Sequence, residues 1–292
     1  MNLAERLIDP KSPERRPRRA AYALPTLFTS ANIFFGFLAI TKSIEGAMSI
    51  RPGDYTRVPE FELAAQLIGV AVAADGLDGR IARMTNTVSD FGRELDSLAD
   101  VITFGIAPAV LAFVWGCYFV DANLAADFRG QYLQIGYFIS FVYLLCGAAR
   151  LARFNVQTNP VPKNPGRPDR KYFVGLPIPA AAAFVASVIY AFNSVPIANW
   201  LLGVVWLAVM GLVSFLMVST WRYRSFKDLN LMEPRSPLSM ILLGSLIFLI
   251  AKYSQPVLLA MTLTYVMSGI LVRLGGALRK PSAAATEASA NG

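Results

Sequence analysis

The sequence predicts an all-α fold, a polytopic membrane helix bundle of about eight transmembrane helices with both termini cytoplasmic. Three observations lead there. Hydrophobic residues make up 55% of the chain and charged residues 16%, whereas soluble domains carry about a quarter charged residues. The apolar runs approach or exceed the roughly 20 residues that cross a bilayer core. The excess positive charge, +8 overall, is gathered in the N-terminal stretch and in alternate short loops. That is the distribution of cytoplasmic segments facing anionic lipid, and it argues against a nucleic-acid surface.

Taken in order, the apolar runs place helices at 24–43, 61–82, 95–119, 131–151, 173–193, 198–219, 237–252 and 255–274. The first follows "ERRPRRAAY", which makes residues 1–23 a basic cytoplasmic segment that contacts anionic lipid. It begins too far into the chain for the layout of a cleavable signal. The connector to the second helix, "EGAMSIRPGDYTRVPEFE", has the Gly, Pro and mixed charge of a solvated loop. The third helix returns through the short turn "MTNTVSDF", antiparallel to the second. A basic loop rich in Pro and Asn, "NVQTNPVPKNPGRPDRKY", follows the fourth, and the Pro pair of "GLPIPAAAA" marks the start of the fifth. The seventh is short and pairs with the eighth across "KYSQP".

Segments 1–23, 83–94, 152–172, 220–236 and 275–292 hold most of the Lys and Arg; the opposite loops hold Arg51, Arg57 and Arg129. This asymmetry orients the bundle. Residues 24–274 therefore form one membrane domain, and 275–292, small and polar, a disordered tail.

Composition narrows the chemistry. The chain has no His, which removes the commonest general base and zinc ligand. Its two cysteines, Cys117 and Cys146, lie in apolar runs without a metal-binding spacing. Carboxylates, hydroxyls, Lys and Arg remain.

The carboxylates are concentrated. Asp75, Asp78, Gly79 and Ala82 share one face of the second helix, with Arg83 next to them; Gly92, Asp96 and Asp100 recur every four residues at the start of the third. Antiparallel packing brings the four Asp into one cluster at the cytoplasmic boundary. Like charges so close destabilise one another, and divalent cations resolve the conflict; an oxygen-only ligand set suits Mg²⁺ or Mn²⁺. Two such ions can orient a diphosphate. Gly79 and Gly92 allow a ligand or a neighbouring helix close approach, and Arg83 offers a fork suited to phosphate. A plainer account makes each Asp a solvated helix cap or an ion-pair partner of Arg80 or Arg83, but that does not explain all four on coherent faces.

The pattern Asp75-x2-Asp78-Gly79-x2-Ala82-Arg83-x8-Gly92-x3-Asp96-x3-Asp100 resembles the signature of the CDP-alcohol phosphotransferases at every defined position. The resemblance implies transfer of a phosphatidyl or similar group from a CDP-linked lipid, such as CDP-diacylglycerol, to an alcohol, with release of CMP. It implies that Asp75, Asp78, Asp96 and Asp100 bind two divalent ions and that Asp100 is also the catalytic base. Gly79, Ala82 and Arg83 would line the nucleotide and diphosphate pocket, with Asp78 near the ribose. A homodimer is also implied.

Four further stretches, "LPTLFTSANIFFGFLAI", "SLADVITFGIAPAVL", "LLCGAARLARFNV" and "FVGLPIPAAAA", resemble the bacterial branch of the family that accepts L-serine and makes phosphatidylserine, as does the later "WRYRSFKDL". That implies phospholipid synthesis at the bacterial inner membrane, with the active site on the cytoplasmic face. Relatives often have Asn where this chain has Thr26, so Thr26 receives no role. Arg150 and Arg153, at the cytoplasmic end of the fourth helix, can pair with a serine carboxylate, pair with a lipid phosphate, or simply anchor the helix. Thr29 and Asn32 can hydrogen-bond the diphosphate or cytidine, or serve as interhelical contacts. Other readings remain: an acceptor such as glycerol 3-phosphate or an inositol phosphate, or a carboxylate-lined cation transporter. A transporter site usually lies near the midplane of two repeated halves, and no second-half counterpart to the cluster exists.

Overall fold

The computed structural model describes residues 19–50, 57–85, 90–120, 126–158, 172–224 and 237–278. Its helices are α1 (Arg19–Ser49), α2 (Pro59–Thr85), α3 (Asp90–Asp100), α4 (Ala107–Phe113), α5 (Ala126–Thr158), α6 (Ile178–Ala191), α7 (Trp200–Val218), α8 (Pro237–Lys252) and α9 (Ser254–Leu278). Helices α3 and α4 are parts of one rod, interrupted by the π-helical segment Val101–Ile106 and continued by a second, Val114–Tyr118. Counting that rod once, the described residues form eight helical rods, each overlapping one of the expected runs.

Among the described residues, five stretches are long and apolar enough to cross a membrane: Thr26–Ser49, Phe91–Tyr118, Phe128–Val156, Trp200–Val218 and Ser254–Arg273. Their outer faces carry exposed Phe34, Phe37, Phe138, Phe141, Phe215 and Leu271, a surface suited to lipid. Inside, Phe104, Leu111, Trp115, Ile178, Ile189, Met210 and Met217 are buried in one core around the α3–α4 rod.

The fifth helix departs from expectation. It begins at Ile178 rather than at 173, because Tyr172–Val174 forms a strand, β1, antiparallel to β2 (Arg222–Arg224). Gly175 follows β1 with φ +79, a conformation that L side chains rarely adopt, and Pro177 precedes the helix. This two-stranded ribbon is the one non-helical element among the described residues.

The π-helical stretch before α4 has a local cause. Pro108 has no N–H, and its ring would crowd the carbonyl four residues back, that of Phe104. The register is widened there: the Ala107 N–H donates five residues back, to Ile102 O. The Tyr143 hydroxyl on α5 donates to the Phe104 carbonyl at 3.2 Å. Around the second stretch, Trp206 Nε1 donates to Ala112 O at 3.0 Å and the Tyr132 hydroxyl to Gly116 O at 3.2 Å. Side chains inserted into a helical ladder in this way stabilise local departures from α geometry.

Contacts sort the loops into two ends. At one, the ribbon joins the entry to α6 with the exit from α7, Gly175 N–H donates to Trp221 O at 2.8 Å, and Asn155 Nδ2 on α5 donates to Ser97 Oγ on α3 at 2.8 Å. At the other, Ile197 N–H donates to Trp115 O at 3.0 Å and Gln255 Nε2 to Asn193 Oδ1 at 3.1 Å. The C-terminal ends of α5 and α7 thus lie at the same end as the start of α3.

Candidate active site

Asp75 comes from α2; Asp96 and Asp100 stand one turn apart on α3. One carboxylate oxygen from each of the three lies within 4.8 Å of the other two. Asp100 is buried, and Asp75 and Asp96 are half-buried. Held without a cation, three carboxylates at this spacing would repel. Oxygens around a bound Mg²⁺ stand at about 2.1 Å from the ion, so opposite ligands are about 4.2 Å apart, close to the spacing found. The donor set is oxygen alone, and it fits a hard divalent cation.

Helix α2 runs on through Asp78, Gly79, Ala82 and Arg83, whose side chains lie outside the described residues. Gly92 is half-buried on α3, one turn before Asp96.

Helix α1 supplies the next component. Asn32 is fully buried, and neither Oδ1 nor Nδ2 has a hydrogen-bond partner among the described residues. A buried amide left in that state is costly and is usually satisfied by something. Its backbone carbonyl accepts from the Thr103 hydroxyl at 2.9 Å, which places Asn32 against the chain three residues beyond Asp100. Thr29, one turn before Asn32 on α1, is also buried. The structure therefore brings the α1 candidates beside the carboxylates.

The two arginines part company. Arg150 is buried, with its Nε unpaired among the described residues, and its guanidinium is within electrostatic reach of the Asp100 carboxylate and the Tyr265 hydroxyl on α9. Arg153 is exposed and donates from Nη1 to Val218 O at 3.3 Å, at the C-terminus of α7. There it caps a helix end, where a cation is favoured.

Sequence reasoning missed several neighbours of the cluster: Ser97 and Asn155, bonded to one another; Thr103; Tyr265; and Tyr223. Ser97, Thr103, Asn155 and Tyr223 fell in stretches already singled out, without a role assigned to them; Tyr265 did not. Tyr223 is fully buried and donates to Val266 O at 3.4 Å; burial, reinforced by Tyr265, pushes its phenol up to about 12. It stays protonated at any working pH and ties β2 to α9.

The sequence model of the CDP-alcohol phosphatidyltransferases matches residues 22–214 of the chain, which include α2, α3 and the whole carboxylate cluster. The chain belongs to the CDP-alcohol phosphatidyltransferase family. Among curated members of the family it is similar to a CDP-diacylglycerol–serine O-phosphatidyltransferase from Helicobacter pylori, 36% identical over 73% of this chain and 77% of the relative. A Bacillus subtilis protein of the same name is 30% identical over 70% of this chain and 91% of the relative. An archaetidylserine synthase from Methanothermobacter thermautotrophicus is 37% identical over 56% of this chain and 57% of the relative. The family match stops within α7, so Tyr265 of this phosphatidyltransferase lies outside it.

Proposed function

We propose that this phosphatidyltransferase moves the phosphatidyl group of CDP-diacylglycerol to the hydroxyl of L-serine, giving phosphatidylserine and CMP. The observation that carries the reading is the convergence of Asp75, Asp96 and Asp100 beside the unsatisfied amide of Asn32. The names of the most similar relatives support serine as acceptor.

Two divalent cations, Mg²⁺ or Mn²⁺, would be held by Asp75, Asp78, Asp96 and Asp100 and would neutralise charge on the diphosphate. Asn32, with Thr29, hydrogen-bonds the diphosphate or cytidine from α1, while Asp78, Gly79, Ala82 and Arg83 line the nucleotide side. Asp100 takes the proton of the serine hydroxyl. The serine oxygen attacks the β-phosphorus, the bond from that phosphorus to the CMP oxygen breaks, and CMP departs. Arg150, buried beside Asp100, pairs with the serine carboxylate; a burial of this kind favours an arginine that receives a partner on binding. Arg153, exposed and engaged at Val218, is the weaker candidate for that role.

The protein spans the bacterial inner membrane eight times as a homodimer, with both termini and the site on the cytoplasmic face. Lipid donor reaches the site from the bilayer and serine from the cytosol.

The test is CMP release from CDP-diacylglycerol by the purified protein with Mg²⁺ or Mn²⁺. Serine, glycerol 3-phosphate and an inositol phosphate are offered separately, and Asp100→Asn is the control. Release with serine alone, lost in the variant, is the expected result. Release only with a phosphorylated acceptor overturns the serine assignment, and release with none overturns the catalytic reading.

A further inference from the structure

Val101–Ile106 is in π-helical register, and two side-chain hydrogen bonds tie it to α1 and α5. The Thr103 hydroxyl donates to the backbone carbonyl of Asn32 at 2.9 Å. The Tyr143 hydroxyl donates to the Phe104 carbonyl at 3.2 Å. Thr103 and Tyr143 are both fully buried. Contact with α1 is close: a Cβ added to Gly36, one turn beyond Asn32, would come within 2.5 Å of Thr103 Oγ1 and 2.8 Å of Thr103 Cα. A helix pair packed backbone against side chain in this way has little freedom to slide or rotate.

Each π-helical turn accommodates one residue more than an α turn, which changes the rotation of everything before it relative to everything after it by about 100°. Here Asp96 and Asp100 lie before the π segment, and the buried core of α4 lies after it. The register therefore sets the direction in which the two carboxylates leave the rod. Thr103 bonds the middle of that segment to Asn32 itself, the residue whose amide has no partner among the described residues.

We infer that Thr103 is a positioning residue: by bonding the Asn32 carbonyl and pinning the π-helical turn, it fixes the Asn32 amide and the Asp100 carboxylate at one separation, so that both address the same nucleotide diphosphate. Tyr143 supports the same turn from α5. The assignment rests on the proposed nucleotide chemistry of the site. It adds that the α1 arm and the carboxylate arm act as a unit through one hydroxyl.

The experiment is a double-mutant cycle on the full-length protein in detergent. Thr103→Val keeps the shape and removes the hydroxyl; it is made alone, with Asn32→Ala, and beside Thr103→Ser as the conservative rescue. Binding of CDP with Mn²⁺ is read by calorimetry, and CMP release gives kcat and KM. Sub-ångström to 1 Å misplacement of a binding group costs up to about a hundredfold in rate. Thr103→Val is expected to weaken CDP binding and lower kcat by about tenfold each, with the KM for serine unchanged and Thr103→Ser restoring both. In the Asn32→Ala background, Thr103→Val is expected to cost less than in the wild type, because the amide it positions is gone while its hold on the π-helical turn remains. Additive losses in the double variant, or a Thr103→Val protein with wild-type CDP affinity, overturn the inference. So does an equal fall in affinity and thermal stability that Thr103→Ser does not rescue, since that marks a packing role. If the wild-type protein binds CDP but releases no CMP with any acceptor, the proposed function fails, while the binding cycle still decides the role of Thr103.

Discussion

Replacing Asn32 with Leu should make the ligand-free protein more stable and a poorer binder of nucleotide. Leu has the same number and branching of side-chain heavy atoms but no amide. At present Oδ1 and Nδ2 are both buried without partners among the described residues. An unsatisfied buried amide costs about 1–3 kcal/mol in mutational data. Asn32→Leu removes that penalty, so the apoprotein should gain about 1–2 kcal/mol, the slightly larger methyl groups taking back part of it. Binding moves the other way. Hydrogen bonds to a charged group contribute about 1.5–3 kcal/mol each. Losing one from the diphosphate should weaken CDP binding by roughly 10- to 150-fold, at 1.4 kcal/mol per factor of ten. The assay is a thermal melt of the purified protein without ligand, paired with a CDP titration at saturating Mn²⁺. An apoprotein that melts lower while CDP affinity is unchanged would refute the argument, because it would make the amide a structural contact and not a ligand-facing one.

Three other outcomes follow from the site and the fold. Asp96→Asn, which removes one carboxylate from a trio within 4.8 Å, should raise the Mn²⁺ concentration for half-maximal CMP release by at least about tenfold, since a charged ligand is lost; a metal titration of activity checks it. Arg150→Lys keeps the charge but not the planar fork, and should raise the KM for serine by about tenfold with the KM for CDP-diacylglycerol unchanged. Gly175→Ala sets a Cβ at φ +79 against the Met217 carbonyl; it should lower the melting temperature by an amount matching about 1–3 kcal/mol, read by thermal unfolding.

How much of this could be read from residues alone differs by element. The positions of the helical rods were legible because apolar runs of membrane length carry their own signal, and the carboxylates because charge inside such runs is expensive. Helix ends were less so: α1 and α5 extend beyond the expected 24–43 and 131–151, since polar residues continue a helix past the apolar run without a hydropathy signal. The π-helical turn left almost no trace. Residues 101–106 are apolar or small throughout, and a run without polar alternation looks the same in either register. Only Pro108 hinted at it. The ribbon was illegible for another reason: it pairs three residues with three others across two intervening helices, and nothing in Tyr172–Val174 names Arg222–Arg224 as its partner. Asn32 could be proposed from its place in an apolar run, but that its amide lacks a partner emerges only when α1 is packed against the rod.

The ribbon between β1 and β2 bears on how the protein is made. Its strands flank α6 and α7, so the clasp cannot close until the ribosome has produced both helices and the residues just past them. Gly175 and Leu176 then donate back to Trp221 O and Leu216 O at 2.8 and 3.0 Å, locking the start of the hairpin to its finish. Tyr223 of β2, which donates to Val266 O on α9, thus takes its place late, after the carboxylates of α2 and α3 are already in the chain. A nascent protein halted before β2 would possess the clustered carboxylates without the clasp, so biosynthesis itself orders the appearance of the two.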